Sequence, residues 1–354
     1  MSRYRNEPQH DAPVRAYARA STGILELNRP KPINALNGEM VDIITPALEE
    51  WREDSEIHRV LIFSTSERGF CSGGDIRAVR DKAVEGDHEF GDAYLQKEYA
   101  MNKLMANFPK PMIAVIDGVV MGGGLGVSAH GSHRVITEKA FAAMPEMAIG
   151  FVPDVGVSYM MTHMVGDEGR PIPALATFVG LTGYRLTAAD MLYTGLATHF
   201  INSENTDAFM EALIAEDIDP ALEQFGAAPE EEPAIKRFLS AIEECFDKPT
   251  WAEIDAALNA CANQEFVDMV RDLMSNANPA SVVASAEMYA VNRQVKDVET
   301  AIHNEYEIGY LLRREPNFAE GVRAVLVDKD RNPSFVPSTY EGVDPEHYRL
   351  VLKH

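Results

Sequence analysis

The sequence has 354 residues, of which 46% are hydrophobic and 25% are charged. These proportions are typical of a folded globular protein with one large or two moderate domains, and they exclude a disordered chain. The formal net charge is −23, from 55 acidic and 32 basic residues. Because a negative field repels phosphate groups, this charge argues against nucleic acids and anionic membranes as general partners. It leaves room for a local cationic pocket that binds a phosphorylated ligand.

The sequence shows no targeting signal and no cysteine framework. No apolar stretch reaches the ~20 residues that cross a bilayer, and residues 1–13 contain no apolar core of a secretory signal. Arginines near the start suggest a transit peptide, but Glu7 and Asp11 argue against one. The scattered cysteines fit neither disulfide pairing nor a zinc site; they are Cys71, Cys245 and Cys261. We therefore expect a metal-free cytoplasmic protein, or one of the mitochondrial matrix in a eukaryote.

The first part of the chain alternates short β-rich runs with amphipathic helical patterns. In chain order, the pattern predicts a strand at 23–27, a helix at 40–51, a strand at 60–63, a helix at about 88–107, and strands at 112–116 and 134–137. Such alternation is typical of an α/β unit whose strands pair largely in parallel.

The chain becomes almost wholly helical after about residue 203. Thr250 and Glu253 have the spacing of a capping box, and Asn278-Pro279 has the pattern of an N-cap followed by proline. Helices are predicted to about residue 312, and the tail from residue 329, which contains several prolines, is predicted to be extended. We therefore predict an α/β region at 14–203 and a helical region at 204–354.

Two glycine-containing loops each follow a predicted strand. The first spans 69–75 with the sequence Gly-Phe-Cys-Ser-Gly-Gly-Asp, and the second spans 118–126 with Gly-Val-Val-Met-Gly-Gly-Gly-Leu-Gly. Glycine permits sharp turns and lets a ligand approach the main chain closely. If helices begin after both loops, two facing N–H groups would form an oxyanion hole for a thioester carbonyl. Either loop alone is equally consistent with an ordinary tight turn.

Residues 124–129 also match the G-x-G-x-x-A pattern of a dinucleotide-binding turn. That interpretation requires the pattern near the start of the first strand–helix–strand unit, followed by an acid at the end of a second strand. The acid at about the right distance, Glu146, instead follows Met144-Pro145, where no strand ends cleanly. The context therefore argues against a dinucleotide site.

Several segments together resemble the crotonase superfamily. Its three signature segments are matched at 70–75, 121–124 and 144–146, and its N-terminal segment near CoA is matched at 28–31 and 34–37. Further segments are similar to those of the 3-hydroxyisobutyryl-CoA hydrolases of that superfamily, at 98–99, 138–139, 149–154, 197–200 and 318–329. The last of these lies outside the part that all crotonases share. The resemblance implies an α/β, crotonase-type ββα-superhelix core and a helical C-terminal region that covers the acyl pocket.

The resemblance also implies roles for particular residues. The N–H groups of Gly74 and Gly123 would form the oxyanion hole, and Glu146 corresponds to the second catalytic carboxylate of the superfamily. Asp154 corresponds to an acid of the hydrolases and of some isomerases. The residues expected to bind substrate are Glu98, Gly73, Gly122 and Asp75, together with Lys31 near the CoA phosphates.

Position 126 departs from the hydratases of the superfamily. Where they carry a first catalytic glutamate, this chain has Gly126. Hydration of a double bond relies on two carboxylates that activate water and move protons, so hydratase activity is not expected. Two departures from the hydrolases concern substrate shape more than reaction type: Val157-Ser158 replaces a glycine pair, and Phe335 stands where tryptophan is expected.

Each candidate residue also has an ordinary structural interpretation. Glu146 could cap a helix or pair with an arginine, and Asp154 could be a helix N-cap. Glu98 could be a solvent-facing charge on a helix. Cys71 is expected to be a small buried residue rather than a nucleophile.

The reaction implied by the resemblance is hydrolysis of 3-hydroxyisobutyryl-CoA to 3-hydroxyisobutyrate and CoA, a step of valine degradation. Glu146 would act on the carbonyl carbon as a nucleophile or through water, while Asp154 would orient the hydroxyl or handle the proton at the leaving thiolate. CoA enters as part of the substrate, so no separate cofactor is expected. The alternatives are 3-hydroxypropionyl-CoA as substrate, an enoyl-CoA hydratase or isomerase of the same fold, and a non-catalytic binding protein. The sequence also allows a homo-oligomer.

Overall fold

The computed structural model of the protein describes residues 10–354. Residues 1–9 lie outside the described part, so the prediction that residues 1–13 carry no secretory signal stays a prediction. Within residues 10–354, no helix combines the length and the apolar character that crossing a bilayer requires.

The strands are short, with two to six residues each. They are β1 (Val14–Arg19), β2 (Thr22–Leu27), β3 (Arg59–Ser64), β4 (Gly69–Cys71), β5 (Met112–Ile116), β6 (Val119–Met121), β7 (His133–Ile136), β8 (Phe141–Ala143), β9 (Leu186–Thr187), β10 (His199–Ile201) and β11 (Gly226–Ala227).

The helices are α1 (Gly38–Glu53), α2 (Ile76–Val84), α3 (His88–Ala106), α4 (Gly123–Gly126), α5 (Val157–His163), α6 (Pro173–Thr182), α7 (Ala188–Thr194), α8 (Thr206–Ala215), α9 (Ile218–Phe225), α10 (Leu239–Phe246), α11 (Trp251–Ala260), α12 (Gln264–Leu273), α13 (Pro279–Asn292), α14 (Val298–Leu312), α15 (Pro316–Val322) and α16 (Glu346–Arg349). A π-helical turn, Arg323–Val327, follows α15 directly.

The chain divides into two compact units, and each is assembled from three stretches of sequence. Unit 1 contains the described residues up to Gly74, with Ala100–Ala142 and Leu186–Ala234. Unit 2 contains Asp75–Tyr99, Ala143–Arg185 and Ile235–His354. The predicted boundary at residue 203 falls inside unit 1, and it stays a prediction.

Unit 1 contains two β-sheets. The larger sheet has the strand order β1-β2-β3-β5-β7-β10-β11. Neighbouring strands from β2 to β10 run in parallel, and β1 and β11 pair antiparallel at the two edges. The smaller sheet has the order β4-β6-β8-β9. The predicted α/β organisation with largely parallel pairing is confirmed.

The core of unit 1 lies between the larger sheet and helices α8 and α9. Apolar side chains of the inner strands pack there against Phe209 and Leu213 of α8 and Ile218 of α9. All five residues of β5 are buried. A strand covered on both faces has a continuous apolar sequence, and this is why the run Met-Ile-Ala-Val-Ile forms a central strand.

Unit 2 is built mainly from helices. Phe178, Phe246 and Phe266 form an aromatic cluster in its core, with ring centroids 5.2 to 6.2 Å apart. Asn278 caps α13, because its Oδ1 accepts the Ser281 N–H at 2.8 Å. The Asn278 N–H donates to the carbonyl oxygen of Met147 at 2.9 Å. This bond joins the start of α13 to the short 3-10 turn Glu146–Ile149.

Most predicted elements before residue 203 agree with the structure within two residues at each end. Thr250 and Asn278 are helix N-caps, as predicted. The prediction of an extended tail is partly wrong, since α16 lies within it, with Pro345 at the N-cap. Strands of two or three residues, such as β9 and β11, have too few positions for their alternation to be recognised in a sequence.

Candidate active site

Glu146 is the first residue of the 3-10 turn that follows β8 and Pro145. The turn ends at Gly150, which has a left-handed φ of 70° and where a Cβ would lie 2.6 Å from the carbonyl oxygen of Asn317. Glu146 is 6% exposed, and its Oε2 has no hydrogen-bond partner among the described residues. Buried polar atoms are nearly always paired, so an unpaired carboxyl oxygen is a candidate contact for a ligand or water.

Asp154 precedes a left-handed turn formed by Val155 and Gly156, with φ values of 59° and 79°. Helix α5 begins after this turn, and Gly156 rather than Asp154 occupies its N-cap. The interpretation of Asp154 as a helix cap is therefore wrong. The Asp154 side chain is buried, and the Tyr99 hydroxyl donates a hydrogen bond of 2.6 Å to its Oδ2.

Glu98 lies on α3, directly before Tyr99. It is only 2% exposed, so the interpretation as a solvent-facing charge is wrong. Tyr94 hydrogen-bonds its carboxyl group, while Oε1 has no partner in the described part of the chain. Glu98, Glu146 and Asp154 are thus buried within unit 2, where Asp154 interacts electrostatically with both glutamates. We call these three residues the acid cluster.

Burial is the largest influence on the pKa values of the acid cluster. It raises the pKa of Glu98 to about 8 and that of Glu146 well above its usual range, and the charge of Asp154 adds to both rises. Burial also raises the pKa of Asp154 to about 6, although the Tyr99 hydrogen bond and the charge of Arg313 oppose this rise. Asp154 is therefore the first member to lose its proton, and near neutral pH the two glutamates stay largely protonated.

The two glycine loops lie against each other within unit 1. Leu36 anchors the first loop, because its N–H donates to the carbonyl oxygen of Gly73 at 2.8 Å. Gly73 has a φ of 109°, and a Cβ there would lie 3.8 Å from the nitrogen of Gly123. A Cβ at Gly124 would lie 2.7 Å from the carbonyl oxygen of Cys71. A side chain at Gly124 would therefore push the loops apart, whereas at Gly73 the positive φ is what favours glycine. Cys71 itself is fully buried, as predicted.

The second loop leads directly into helix α4. This helix begins at Gly123, so the Gly123 N–H has no acceptor within the helix. Gly122 directly before it has φ 46° and ψ −123°, a conformation that glycine adopts far more readily than other residues. In the first loop, Gly74 forms an isolated β-bridge with Leu36. The predicted use of the Gly74 and Gly123 N–H groups as an oxyanion hole stays a prediction.

Lys31 and Asp75 are the remaining predicted substrate-binding residues. Lys31 is exposed in unit 1, and its carbonyl oxygen accepts a hydrogen bond of 3.3 Å from Nη1 of Arg68. Arg68 is thus a second cation beside Lys31, and the sequence pattern does not single it out. Asp75 occupies the N-cap position of α2 in unit 2 without a capping hydrogen bond from its side chain. The roles of Lys31 and Asp75 stay predictions.

Buried residues near the acid cluster include three to which sequence reasoning assigns no role. Tyr99 binds Asp154 directly. Arg313, 4% exposed, donates to Asp92 at 2.7 Å and leaves Nε and Nη2 without partners among residues 10–354. Tyr289 is also buried, and its hydroxyl has no partner in the described chain. On a helix such tyrosines have the periodicity of ordinary core residues, so no pattern distinguishes them.

Comparison with known families identifies the class of protein. The sequence model of the enoyl-CoA hydratase/isomerase family matches residues 22–352. The protein therefore belongs to this family, the crotonase superfamily, as its signature segments predict.

The chain is also similar to individual curated proteins of this family. The chain is 35% identical over 340 residues to the mitochondrial 3-hydroxyisobutyryl-CoA hydrolase of Xenopus laevis, which covers 92% of this chain and 84% of the relative. It is 33% identical over 335 residues to the mitochondrial 3-hydroxyisobutyryl-CoA hydrolase of Homo sapiens, with the same two coverages. It is 35% identical over 338 residues to 3-hydroxyisobutyryl-CoA hydrolase 1 of Arabidopsis thaliana, covering 92% of this chain and 87% of the relative.

Solved structures share the fold over nearly the whole chain. A carnitinyl-CoA dehydratase from Mycobacterium thermoresistibile matches with a TM-score of 0.88 and 32% identity, covering 98% of this chain and 97% of the other. An enoyl-CoA hydratase from Rhodobacter sphaeroides 2.4.1 matches with a TM-score of 0.83 and 31% identity, covering 96% of each chain. The predicted crotonase-type fold is confirmed.

The electrostatic coupling in the acid cluster can be tested by Asp154→Asn. The substitution removes the negative charge that raises the pKa values of Glu98 and Glu146, so both should fall. The measurement is a carbon-13 NMR titration of protein labelled at the glutamate δ-carboxyl carbons, with Glu98 and Glu146 assigned from Gln variants. In the unsubstituted protein, Glu98 should titrate with a pKa of about 8.

The exposed Glu211 is an internal control for this titration, because its hydrogen bond with Arg19, and not Asp154, lowers its pKa. Its midpoint should be the same in both proteins. If the Glu98 and Glu146 midpoints were unchanged, or moved to higher pH, the proposed coupling to Asp154 would be wrong.

Proposed function

We propose that this protein hydrolyses the thioester of 3-hydroxyisobutyryl-CoA, releasing 3-hydroxyisobutyrate and CoA in valine degradation. The observation that carries the proposal is the acid cluster, in which three carboxyl groups are buried within unit 2 and two glutamate oxygens have no hydrogen-bond partner among residues 10–354. Buried acids with raised pKa values are suited to proton transfer and to attack on a carbonyl carbon. The curated relatives, named as 3-hydroxyisobutyryl-CoA hydrolases, support the choice of substrate.

In this proposal Glu146 acts on the thioester carbon, either directly as a nucleophile or by activating water. Its unpaired Oε2 is available for either role. Glu146 must be ionised in both cases, and its raised pKa makes the carboxylate a stronger base once the proton has left. The rate should therefore rise with pH as Glu146 ionises.

The family resemblance assigns the thioester oxygen to the N–H groups of Gly74 and Gly123. The N–H at the start of α4 supports this assignment, because the helix leaves it without an acceptor. A well-placed oxyanion-hole donor stabilises the transition state by about 3–4 kcal/mol. Gly73 and Gly122 are proposed to bind substrate as part of the same two loops.

Asp154 is proposed to orient the substrate hydroxyl or to deliver a proton to the leaving thiolate. Its pKa of about 6 permits either state close to neutral pH. Glu98, with a pKa of about 8, stays protonated at neutral pH and can donate a hydrogen bond to a substrate oxygen. Lys31 and Arg68 are proposed to bind the CoA phosphates, and Asp75 is proposed to contact the substrate. CoA is part of the substrate, so no separate cofactor is proposed.

A second candidate function is hydration of an enoyl-CoA, because two structures with this fold are named as a hydratase and a dehydratase. Gly126 argues against it. The resemblance places a catalytic carboxylate of the hydratases at this position, and glycine has none. Cytoplasmic location and homo-oligomer formation remain predictions from the sequence.

Glu146→Gln tests the main proposal, because it keeps the size of the side chain and removes its negative charge. Thioester hydrolysis should fall by about a thousandfold or more, while affinity for the acyl-CoA stays within about threefold. Hydrolysis is followed as thiol release with a thiol-reactive dye, and binding is followed by calorimetry. The matched control is Glu53→Gln on the exposed end of α1, which should retain full activity. Turnover within about tenfold of the unsubstituted protein would assign the chemistry to another residue.

Gly126→Glu tests the hypothesis that hydratase activity is absent because position 126 has no carboxylate. The new carboxylate should crowd the acyl group and raise the pKa of the catalytic glutamate, so thiol release should fall by at least about tenfold. Gly126→Ala, which adds a methyl group without charge, is the control for steric effects in the buried helix α4. Thiol release and loss of enoyl absorbance are measured on one purified sample. Unchanged hydrolysis in a folded Gly126→Glu protein would contradict the proposed place of residue 126 beside the substrate.

A further inference from the structure

The turn that follows Asp154 is strained. Val155 has a φ of 59°, in the left-handed region that β-branched residues rarely adopt, and such a conformation costs about 1–3 kcal/mol. Gly156 continues the turn with a φ of 79°. Strained backbone of this kind persists only where the surrounding structure holds it in place. The direction in which Asp154 points therefore depends on the groups that hold this turn.

The carboxyl group of Glu305 on α14 holds the turn. Its Oε2 accepts the Gly156 N–H at 2.7 Å, and its Oε1 accepts the Ser158 N–H at 3.1 Å. The Ser158 hydroxyl donates a third hydrogen bond to Oε1. Glu305 is 0% exposed, and three donors around one buried carboxyl group are the arrangement that stabilises its anion. Burial raises the pKa of Glu305 to about 8, and these donors oppose that rise.

Ser158 extends this contact into a chain of buried hydrogen bonds. Its Oγ accepts from Nδ2 of Asn292 at 2.8 Å, and Asn292 Oδ1 accepts from Nδ2 of Asn304 at 2.8 Å. Asn304 in turn binds the main chain of Lys353, whose N–H donates to Oδ1 at 2.7 Å and whose carbonyl oxygen accepts from Nδ2 at 2.8 Å. The hydrolase pattern has glycine at the position of Ser158, and glycine offers no hydroxyl to complete this chain.

We propose that Glu305 is a positioning residue for Asp154, which it orients through the turn formed by Val155 and Gly156. Tyr99 binds the Asp154 carboxyl group, and Glu305 fixes the main chain that follows it. Within unit 2, Asp154 is thereby held at its side chain, and the main chain is held two residues after it. This inference rests on the proposed function, because that proposal assigns Asp154 to the substrate hydroxyl or to the leaving thiolate.

The test is a double-substitution cycle with Glu305→Gln and Asp154→Asn. Glutamine keeps the size of Glu305 but replaces one acceptor oxygen with an NH2 group, so either Gly156 or Ser158 loses its acceptor. A displacement of Asp154 by about 1 Å should lower kcat/KM for thiol release by roughly 10- to 100-fold. In protein that already carries Asp154→Asn, Glu305→Gln should lower kcat/KM by less than about twofold, because no carboxylate remains to be positioned.

The matched control is Glu287→Gln on α13. Glu287 is also buried in unit 2, but it pairs with Arg349 at 2.6 and 2.8 Å rather than with the turn. This variant should lower the melting temperature. Any loss of kcat/KM that it causes should be the same with Asp154 and with Asn at position 154. If Glu305→Gln does not fold, Glu305→Asp replaces it, because aspartate keeps both acceptor oxygens and withdraws them from the turn.

A crystal structure of the Glu305 variant gives a readout that needs no activity. The distance from the Tyr99 hydroxyl to Asp154 Oδ2, 2.6 Å in the unsubstituted protein, should lengthen as the turn relaxes. An unchanged distance would overturn the proposal. The proposal would also be overturned if Glu305→Gln lowered kcat/KM by the same factor with Asp154 and with Asn at position 154. Absence of thiol release from the unsubstituted protein would instead reject the proposed function, and the crystal structure would still decide the role of Glu305.

Discussion

The burial of carboxyl groups in unit 2 is the constraint on which the rest of the proposed site depends. An isolated carboxylate inside a protein is so costly that it must be protonated, hydrogen-bonded or paired with a cation. Burial raises the pKa values of four such groups, Glu98, Glu146, Asp154 and Glu305. Hydrogen bonds from neighbouring donors oppose the rise at Asp154 and Glu305. Because Asp154 opposes ionisation of Glu98 and Glu146, the acid cluster carries little negative charge at any one time. This leaves proton donors and an acceptor available together in unit 2.

Unit 1 contains a different kind of group. Its glycine loops offer main-chain N–H donors, which do not titrate and keep their polarity at every working pH. The close contact at Gly124 and the positive φ of Gly73 show why these two positions favour glycine. Thioester hydrolysis requires both kinds of group, since the carbonyl oxygen needs fixed donors and the carbonyl carbon needs a base or nucleophile. Hydration of an enoyl-CoA would need a further carboxylate, for which Gly126 provides no side chain.

Sequence reasoning succeeds where the signal is local. Apolar periodicity predicts β5 and α1, which the structure contains. The family resemblance selects Glu146 and Asp154, whose catalytic roles stay predictions. Sequence reasoning does not predict the contacts that set their environment, because these contacts join distant parts of the chain. Glu305 lies 149 positions from Gly156, and Tyr99 lies 55 positions from Asp154. Nor does it predict that each compact unit is assembled from three separate stretches.

The most direct test of the account is to offer the purified protein 3-hydroxyisobutyryl-CoA and crotonyl-CoA in parallel. Free thiol is measured with a dye, and hydration is measured as loss of enoyl absorbance. If the buried acid cluster catalyses thioester hydrolysis, one thiol should be released for each 3-hydroxyisobutyryl-CoA consumed. Crotonyl-CoA should not be hydrated above the rate without protein. Rapid hydration of crotonyl-CoA without thiol release from 3-hydroxyisobutyryl-CoA would contradict it.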